Sequence, residues 1–449
     1  MLKLPPELRK AWGISSTAPV VASLQLQTSA LGRTIAAIFG KTRIAPNLIW
    51  YGDVLPPSIS IDGGGGGGKG GIRFLGWRAA VLLGLCEGPI ASVMNVWNGK
   101  SRSTLAALNL SFFSGSYSQS PASFMTTNHP GEALAYRGIA YLASAVYNLS
   151  DNAQLPNHNF EVAGLLPYGS TGQSGKTFTA DASTDTLAAT AHGYTANTSV
   201  RVSSSGTLPG GLASSLPTDF YILNPTANAF QLSLEPGGAV VDITSAGSGT
   251  HTVILWIPDA EPTAVIAELV TNANFGLQQS SAILGSFAQA AAGCIANGIF
   301  VSPAYIDPEA AGEIITRLAQ IANAAPFWSE DVLKLAPYWD ASVSGNGVAF
   351  TPDLTPIYDL GDDDYLDLDQ PVKCERSTPA DAYNQRSLRF MSWENQYNEV
   401  PSEFKDQADI ELNGLKQDSE QMLREIADPQ VAQKVIDTIG RAGDRKSVV

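Results

Sequence analysis

Residues 62–71 read DGGGGGGKGG. A glycine string ending in lysine has the parts of a phosphate cradle: backbone amides to surround the oxygens and an ammonium to meet their charge. Gly63, Gly68 and Lys69 satisfy the spacing G-x-x-x-x-G-K-[ST], but Gly70 stands where a magnesium-holding hydroxyl belongs. The motif also requires a following helix whose N-terminal amides face the phosphates. Here IRFLGWRAAVLLGL follows, which reads as a strand. A second near match, STGQSGKT at 170–177, has Gly175, Lys176 and Thr177 but Ser170 in place of the first glycine. FTADAST follows it, again without helix formers. Both stretches read as loops, since consecutive glycines maximise backbone freedom. No nucleotide or other cofactor is expected.

Other constellations are weaker still. YDLGDDDYLDLD at 358–369 carries six aspartates and no cation. A calcium site is the sharp reading. The EF-hand order is absent, and a solvated acidic turn beside a strand is favoured. No G-x-S-x-G nucleophile motif occurs, and FFSGSYSQS and VSSSGT read as turn chemistry. A carboxylate pair for glycan cleavage is set in space rather than by spacing, and nothing singles out a pair. His129, His158, His192 and His251 lack ligand spacing and read as ordinary histidines. Cys86, Cys294 and Cys374 are far apart, which argues against a disulfide framework or zinc knuckle.

The chain has 449 residues, enough for two to four domains, with 44% apolar and only 15% charged residues. Net charge is −15 with no basic block, which argues against tight nucleic-acid binding. The N-terminus, MLKLPPELRKAWG, lacks an apolar signal core. The longest charge-free stretch, 269–306, is seeded with Asn, Gln and Ser, unlike a spanning helix. A soluble protein made in the cytoplasm is expected.

Several elements would position these residues. Residues 34–54 read as two strands ending in NLIWYGDV, and a return strand from Ile72 would make the glycine run the tip of a long hairpin. SVMNVW and KSRSTLAAL flank a turn at Asn98-Gly99. From about residue 170 to 255 Ser, Thr, Gly and Ala dominate, and the strand candidates KTFTA, SVRVSS, DFYILN, AFQLSL, AVVDIT and HTVILW recur. They indicate a small β module inserted in a larger domain. Its Tyr194, Phe220 and Tyr221 could stack on sugars, but more simply form its core.

EPTAVIAELVTNANFG fits a helix starting at Pro262, and IDPEAAGEIITRLAQIANAAP fits one capped by Asp307, with Pro308 at its first position. Ile314, Ile315, Leu318 and Ile321 share a face of the latter. FWSEDVLKLAPYW reads as a hairpin around Glu330-Asp331, and VKCERSTPADAYNQRSLRFMSW as two strands around a turn. SEQMLREIADPQVAQKVIDTIGR reads as one or two helices interrupted near Pro429.

A set of strings, in order, carries a family resemblance: IAAIFGKTRIAPNLIWYGD, the Gly/Lys run, LGLCEGPIASVMNVWNGK, HPGEALAYRGIAYLA, LPNHNFEVAG, AEPTAVIAELVTNANFGL, and YDLGDDDYLDL with STPADAYNQRSLRF. Together, over roughly residues 30–440, they resemble the tail-tip or baseplate hub family of long-tailed, non-contractile phages and gene transfer agents, of which the lambda tail-tip protein J is a distant relative. The resemblance implies an α+β, β-rich, multi-domain hub with β-barrel-like domains and short helices. Its implied parts are an N-terminal arm (1–33), a first hub β domain (34–169), the inserted β module (170–255), an α/β segment (256–340), a second hub β domain (341–415) and a helical tail (416–449).

Further, it implies a virion protein without catalytic activity: a homotrimer closing the distal end of the tail tube. Its expected partners are the distal tail protein, other tail-tip subunits and the tape measure protein, with possible host-surface contact. DNA would pass without specific binding, which an acidic lumen suits. The run Gly63, Gly64, Gly65, Gly66, Gly67, Gly68, Lys69, Gly70 and Gly71 becomes a hairpin-tip contact loop. In relatives the FEV string leads almost directly into the D-A-x-P helix, so the module is an insertion. Relatives also continue into receptor-facing domains beyond the position of Val449, so receptor binding does not follow from the resemblance. The competing classes are a tail-tip cell-wall hydrolase and a glycan-binding adsorption protein.

Overall fold

A computed structural model describes residues 34–61, 72–98, 101–149, 155–169, 175–212, 219–355, 361–364 and 383–444. The chain is β-rich with short helices. Its contacts divide it into two units, one holding residues 43–162 and the other residues 37–42 and 163 onward.

In the first unit the organising strand is Arg78–Glu87. Its residues Ala79 to Cys86 are buried without a break, the pattern of a strand covered on both faces. It lies between Asn47–Leu55 and Ile139–Asn148, and Ser111–Phe113 completes this four-stranded sheet. A small core of Leu82, Met125 and Tyr141 forms against it, and Phe113 stacks on Tyr141 at 4.4 Å between ring centroids. Ser92–Asn98 pairs with Ser101–Ser103, with Asn98 opposite Ser101. Asn98 is therefore a strand residue and not the turn position that the sequence suggests, and Gly99 and Lys100 lie outside the described residues.

The second unit contains a closed six-stranded barrel. Around it run Lys176–Asp181, Thr186–Ala188, Ala229–Ser233, Phe220–Leu223, Ser199–Ser204 and His251–Leu255, closing back on the first. Alternate residues point inward, so Phe178, Leu187, Val200, Phe220, Ile222, Phe230, Leu232 and Val253 fill the interior. AVVDIT is not a strand: it makes one isolated bridge, Val240 to Ser233, while Ile243 plugs the interior and its amide is held by Asp185 at 2.8 Å. The unread strand is Thr186–Ala188. Lys176 is opposite Val253, so entry and exit are adjacent. Gly169 lies where the chain approaches the barrel. Its φ is +94° and an added Cβ would meet the Leu255 carbonyl at 2.0 Å, so only glycine fits.

The barrel core does not stop at the barrel. Tyr168, Ile295 and Phe300 belong to the same buried cluster. Ile295 comes from the Ala288–Asn297 helix, which ends on left-handed Gly298.

The Pro262–Thr271 helix begins where the sequence predicts, capped by the Glu261 carboxylate on the amides of Thr263 and Ala264. Asp307 does not cap a helix; the helix is Ala311–Ile321, and Ala310 precedes it without a side-chain cap. Glu309 is engaged instead by Arg317 at 2.5 Å, and that guanidinium also binds Glu425 at 2.6 Å. Ile314, Leu318 and Ile321 face inward, while Ile315 is half-buried.

Ala324–Ser329 and Val332–Pro337 form a hairpin around Glu330 and Asp331, whose φ values of 56° and 60° suit a type I′ turn. Gln385–Ser392 pairs with Asn398–Lys405, and in parallel with Gln421–Met422. VKCER, its expected partner, lies outside the described residues. Pro429 does not interrupt a helix but starts one, Pro429–Asp444, with the Asp428 carboxylate accepting from the Gln430 amide at 2.7 Å. No helix among the described residues is long and apolar enough to cross a membrane.

Candidate assembly surface

The strands on either side of the glycine run form a two-stage hairpin. Asn47–Leu55 pairs with Arg78–Glu87, then Ser58–Ile61 pairs with Ile72–Leu75, and Ile61 is opposite Ile72. Gly63 to Gly71 lie outside the described residues, but the return strand is antiparallel and no helix follows. Lys176 and Thr177 likewise open a barrel strand. Neither near match has the helix N-terminus that a phosphate loop requires.

One face of this hairpin carries a polar–aromatic clamp. His129 Nε2 lies 2.9 Å from Asp53 Oδ2, and the Trp50 indole donates to Glu132 at 2.6 Å. The imidazole packs on Trp50 at 4.9 Å between centroids. A His–Asp pair can orient a general base, but this one is spent on fixing the 129–132 loop to the strand; no serine or cysteine is hydrogen-bonded to the ring among the described residues. Asp53 has φ 47°, beside a register shift between Gly52 and Leu55. Such a bulge re-aims the hairpin.

The other histidines are also structurally committed. His158 bonds Tyr147, and burial lowers its pKa. His192 accepts from the Tyr194 amide at 3.0 Å and packs against Phe230. His251 contacts Ser204 Oγ and the Ala246 carbonyl. Tyr194 and Phe220 are buried in the barrel core and Tyr221 is half-buried; the first two cannot stack on a sugar.

The second unit buries several acids. Asp259 accepts from Ser302 Oγ at 2.5 Å and from the Lys41 amide at 3.3 Å. Burial pushes its carboxyl above the ordinary range, against the Lys41 charge and the Ser302 hydroxyl, which pull it down. The Lys41 ammonium lies 4.2 Å from the Trp393 ring centre. Glu261 is also raised by burial while serving as a helix cap. Burial pushes the nearby Cys294 thiol well up, and Glu261 adds to this; burial likewise raises Cys86, to about 12. A nucleophilic cysteine needs the opposite environment, so these thiols are structural. No group of three potential metal ligands occurs among the described residues. The Asp-rich turn is described only at 361–364, where the Gly361 amide donates to Asp364 at 2.9 Å.

An apolar groove of about 540 Å³ lies between the Pro262–Thr271 helix and its exit, the Ala311–Ile321 helix and the 324–337 hairpin. Val270, Leu277, Ile283, Ile315, Pro326, Trp328 and Leu333 make it apolar, with Gln279 and Thr316 as the polar exceptions. Trp328 is 64% exposed and Phe327 42%. Two adjacent aromatics open to solvent on a hairpin are the composition of an interface centre rather than of a free surface. This groove escapes a reading of the sequence, because its walls come from four segments. The one local signal is Phe327-Trp328 beside a polar turn.

Residues 310–445 match the family model described as "Putative phage tail protein". No curated protein matches the chain. Among solved structures, the chain resembles a chain of the "Virion of native gene transfer agent (GTA) particle", with a TM-score of 0.51 and 15% identity over 94% of this chain and 74% of that one. The likeness is one of fold. The family match is confined to residues 310–445.

Proposed function

We propose that the chain is the hub at the distal tip of a phage tail: a homotrimeric ring that closes the tube, contacts the tape measure protein and neighbouring tail-tip subunits, and lets DNA pass at ejection. The observation that carries this is the fold likeness to a virion chain across nearly the whole length, joined to the tail-protein match at 310–445. The buried acids and thiols support a mechanical role, since each is committed to packing or capping. The barrel at 176–255 is an insertion into the hub, and the 62–71 tip meets a neighbouring subunit or the channel wall. A net charge of −15 keeps DNA phosphates from sticking to the wall they pass.

Averaged images of the particle tip, with this polypeptide located by a fused tag, test the reading. Three copies around the axis at the far end of the tube are expected. One copy per particle, or a position along the shaft, would overturn it.

A further inference from the structure

Among the described residues none fills the apolar groove, and one segment of the sequence has the pattern to do so. Residues 1–13 are MLKLPPELRKAWG. Leu8, Ala11 and Trp12 are spaced i, i+3 and i+4, the pattern by which a helix lays an apolar face into a groove. Pro6 suits the start of such a helix. Lys3, Arg9 and Lys10 fall off that face.

Charge supports the match. Residues 1–33 hold four cations, Lys3, Arg9, Lys10 and Arg33, against the single anion Glu7, in a chain whose net charge is −15. The groove lining is uncharged, and its borders are acidic. Glu313 lies between the lining residues Gly312 and Ile315, and Glu330 and Asp331 form the turn between Trp328 and Leu333. Lys334 is the one cation beside that turn, and it is already 3.7 Å from Glu330. The thirty-three residues that precede Thr34 span up to about 110 Å when extended.

We propose that the groove between the Pro262–Thr271 and Ala311–Ile321 helices and the 324–337 hairpin receives the N-terminal residues 1–13 of a second copy of this chain. The copies are thereby tied by arm exchange, apolar residues filling the groove and basic residues meeting its acidic rim. This rests on the ring reading above, because a ring needs a contact between copies.

The test uses the full chain with Cys374→Ser, so that the two buried cysteines are the native ones left. One tagged version carries Ala11→Cys and a differently tagged version carries Thr316→Cys, a solvent-facing lining position. After mixing and oxidation, a disulfide joining the two tags is expected. Its absence overturns the inference, and so does a disulfide formed only within a version carrying both cysteines. As a second measurement, a synthetic peptide of residues 1–16 is titrated into the chain lacking residues 1–33. Saturable binding is expected, weakened at least tenfold by Trp328→Glu, a change at an exposed side chain that leaves the core intact. No binding, or binding indifferent to Trp328→Glu, overturns the inference. A threefold ring seen in particles alongside a failed cross-link would remove arm exchange and leave the hub reading standing.

Discussion

Cutting out the barrel separates two pictures of it: an independent passenger or a part of the surrounding core. Residues 176–255 are replaced by a short Gly-Ser linker, which is geometrically easy because Lys176 and Val253 are opposite neighbours. The barrel's own strands leave together. What remains behind is the shared wall of Tyr168, Ile295 and Phe300, at present 6%, 8% and 5% exposed. Burying a large apolar side chain contributes about 1.5–3 kcal/mol. If each of the three loses roughly half its cover, the excised chain is destabilised by about 2–5 kcal/mol. That is a large part of an ordinary domain's ~5–15 kcal/mol, but not all of it.

Urea unfolding of the excised chain should therefore stay cooperative, with a clearly lower midpoint. Ile295→Ala makes the argument sharper. In the intact chain it should cost about 2–4 kcal/mol, and in the excised chain about 1 kcal/mol, because the side chain is already half-uncovered there. The difference is the coupling across the shared core. Equal costs in the two backgrounds would refute a shared core. Loss of all cooperative unfolding would refute the idea that the barrel can be removed at all.

Further expectations concern the buried polar groups. Arg317→Ala leaves Glu425, 2% exposed, without its cation, and should cost about 3 kcal/mol; a loss below about 1 kcal/mol, measured by denaturant midpoint, would show that Glu425 has other support. Asp259 has a raised folded-state pKa, from burial first. The native state thus binds that proton more tightly than the unfolded chain, so the Asp259 contribution to stability grows as pH falls through the folded pKa and levels off below the unfolded value near 3.8. Asp259→Asn should flatten that part of the stability–pH curve, and an unchanged difference between variant and parent from pH 4 to 7 would contradict the assignment. Burial raises the thiol pKa of both Cys86 and Cys294, so both should resist iodoacetamide at pH 8 in the native chain and react in urea, as read by peptide mass mapping.

Where local chemistry decides, the sequence is a good guide. The hairpin around Glu330-Asp331, the helix at Pro262 and the long Asn47 to Glu87 hairpin follow from turn residues, a proline start and apolar runs. Where distant partners decide, it is not. Asp307-Pro308-Glu309 has a helix-start pattern, yet Glu309 is drawn to Arg317, itself anchored on Glu425 more than a hundred residues away. AVVDIT has strand composition, but the sheet offers it no continuous edge, and its role is to plug the barrel with Ile243. Thr186–Ala188 is too short for periodicity to reveal. The groove is invisible for a similar reason: residues 270 to 333 must fold before its walls meet.

Strand Ala37–Ile38 pairs with Ala304–Tyr305, although residues 43–162 between them form a separate unit. On the ribosome this imposes an order of events. A nascent chain lengthening at ~5–20 residues per second reaches the partner of Ala37 roughly 15–50 s after Ala37 itself has been made. Residues 43–162 are complete long before then and can fold while the earlier strand waits. The second unit is therefore sealed by a piece of chain older than everything else in it, and a ribosome stalled before residue 304 leaves the first unit finished and the second without its opening strand's mate.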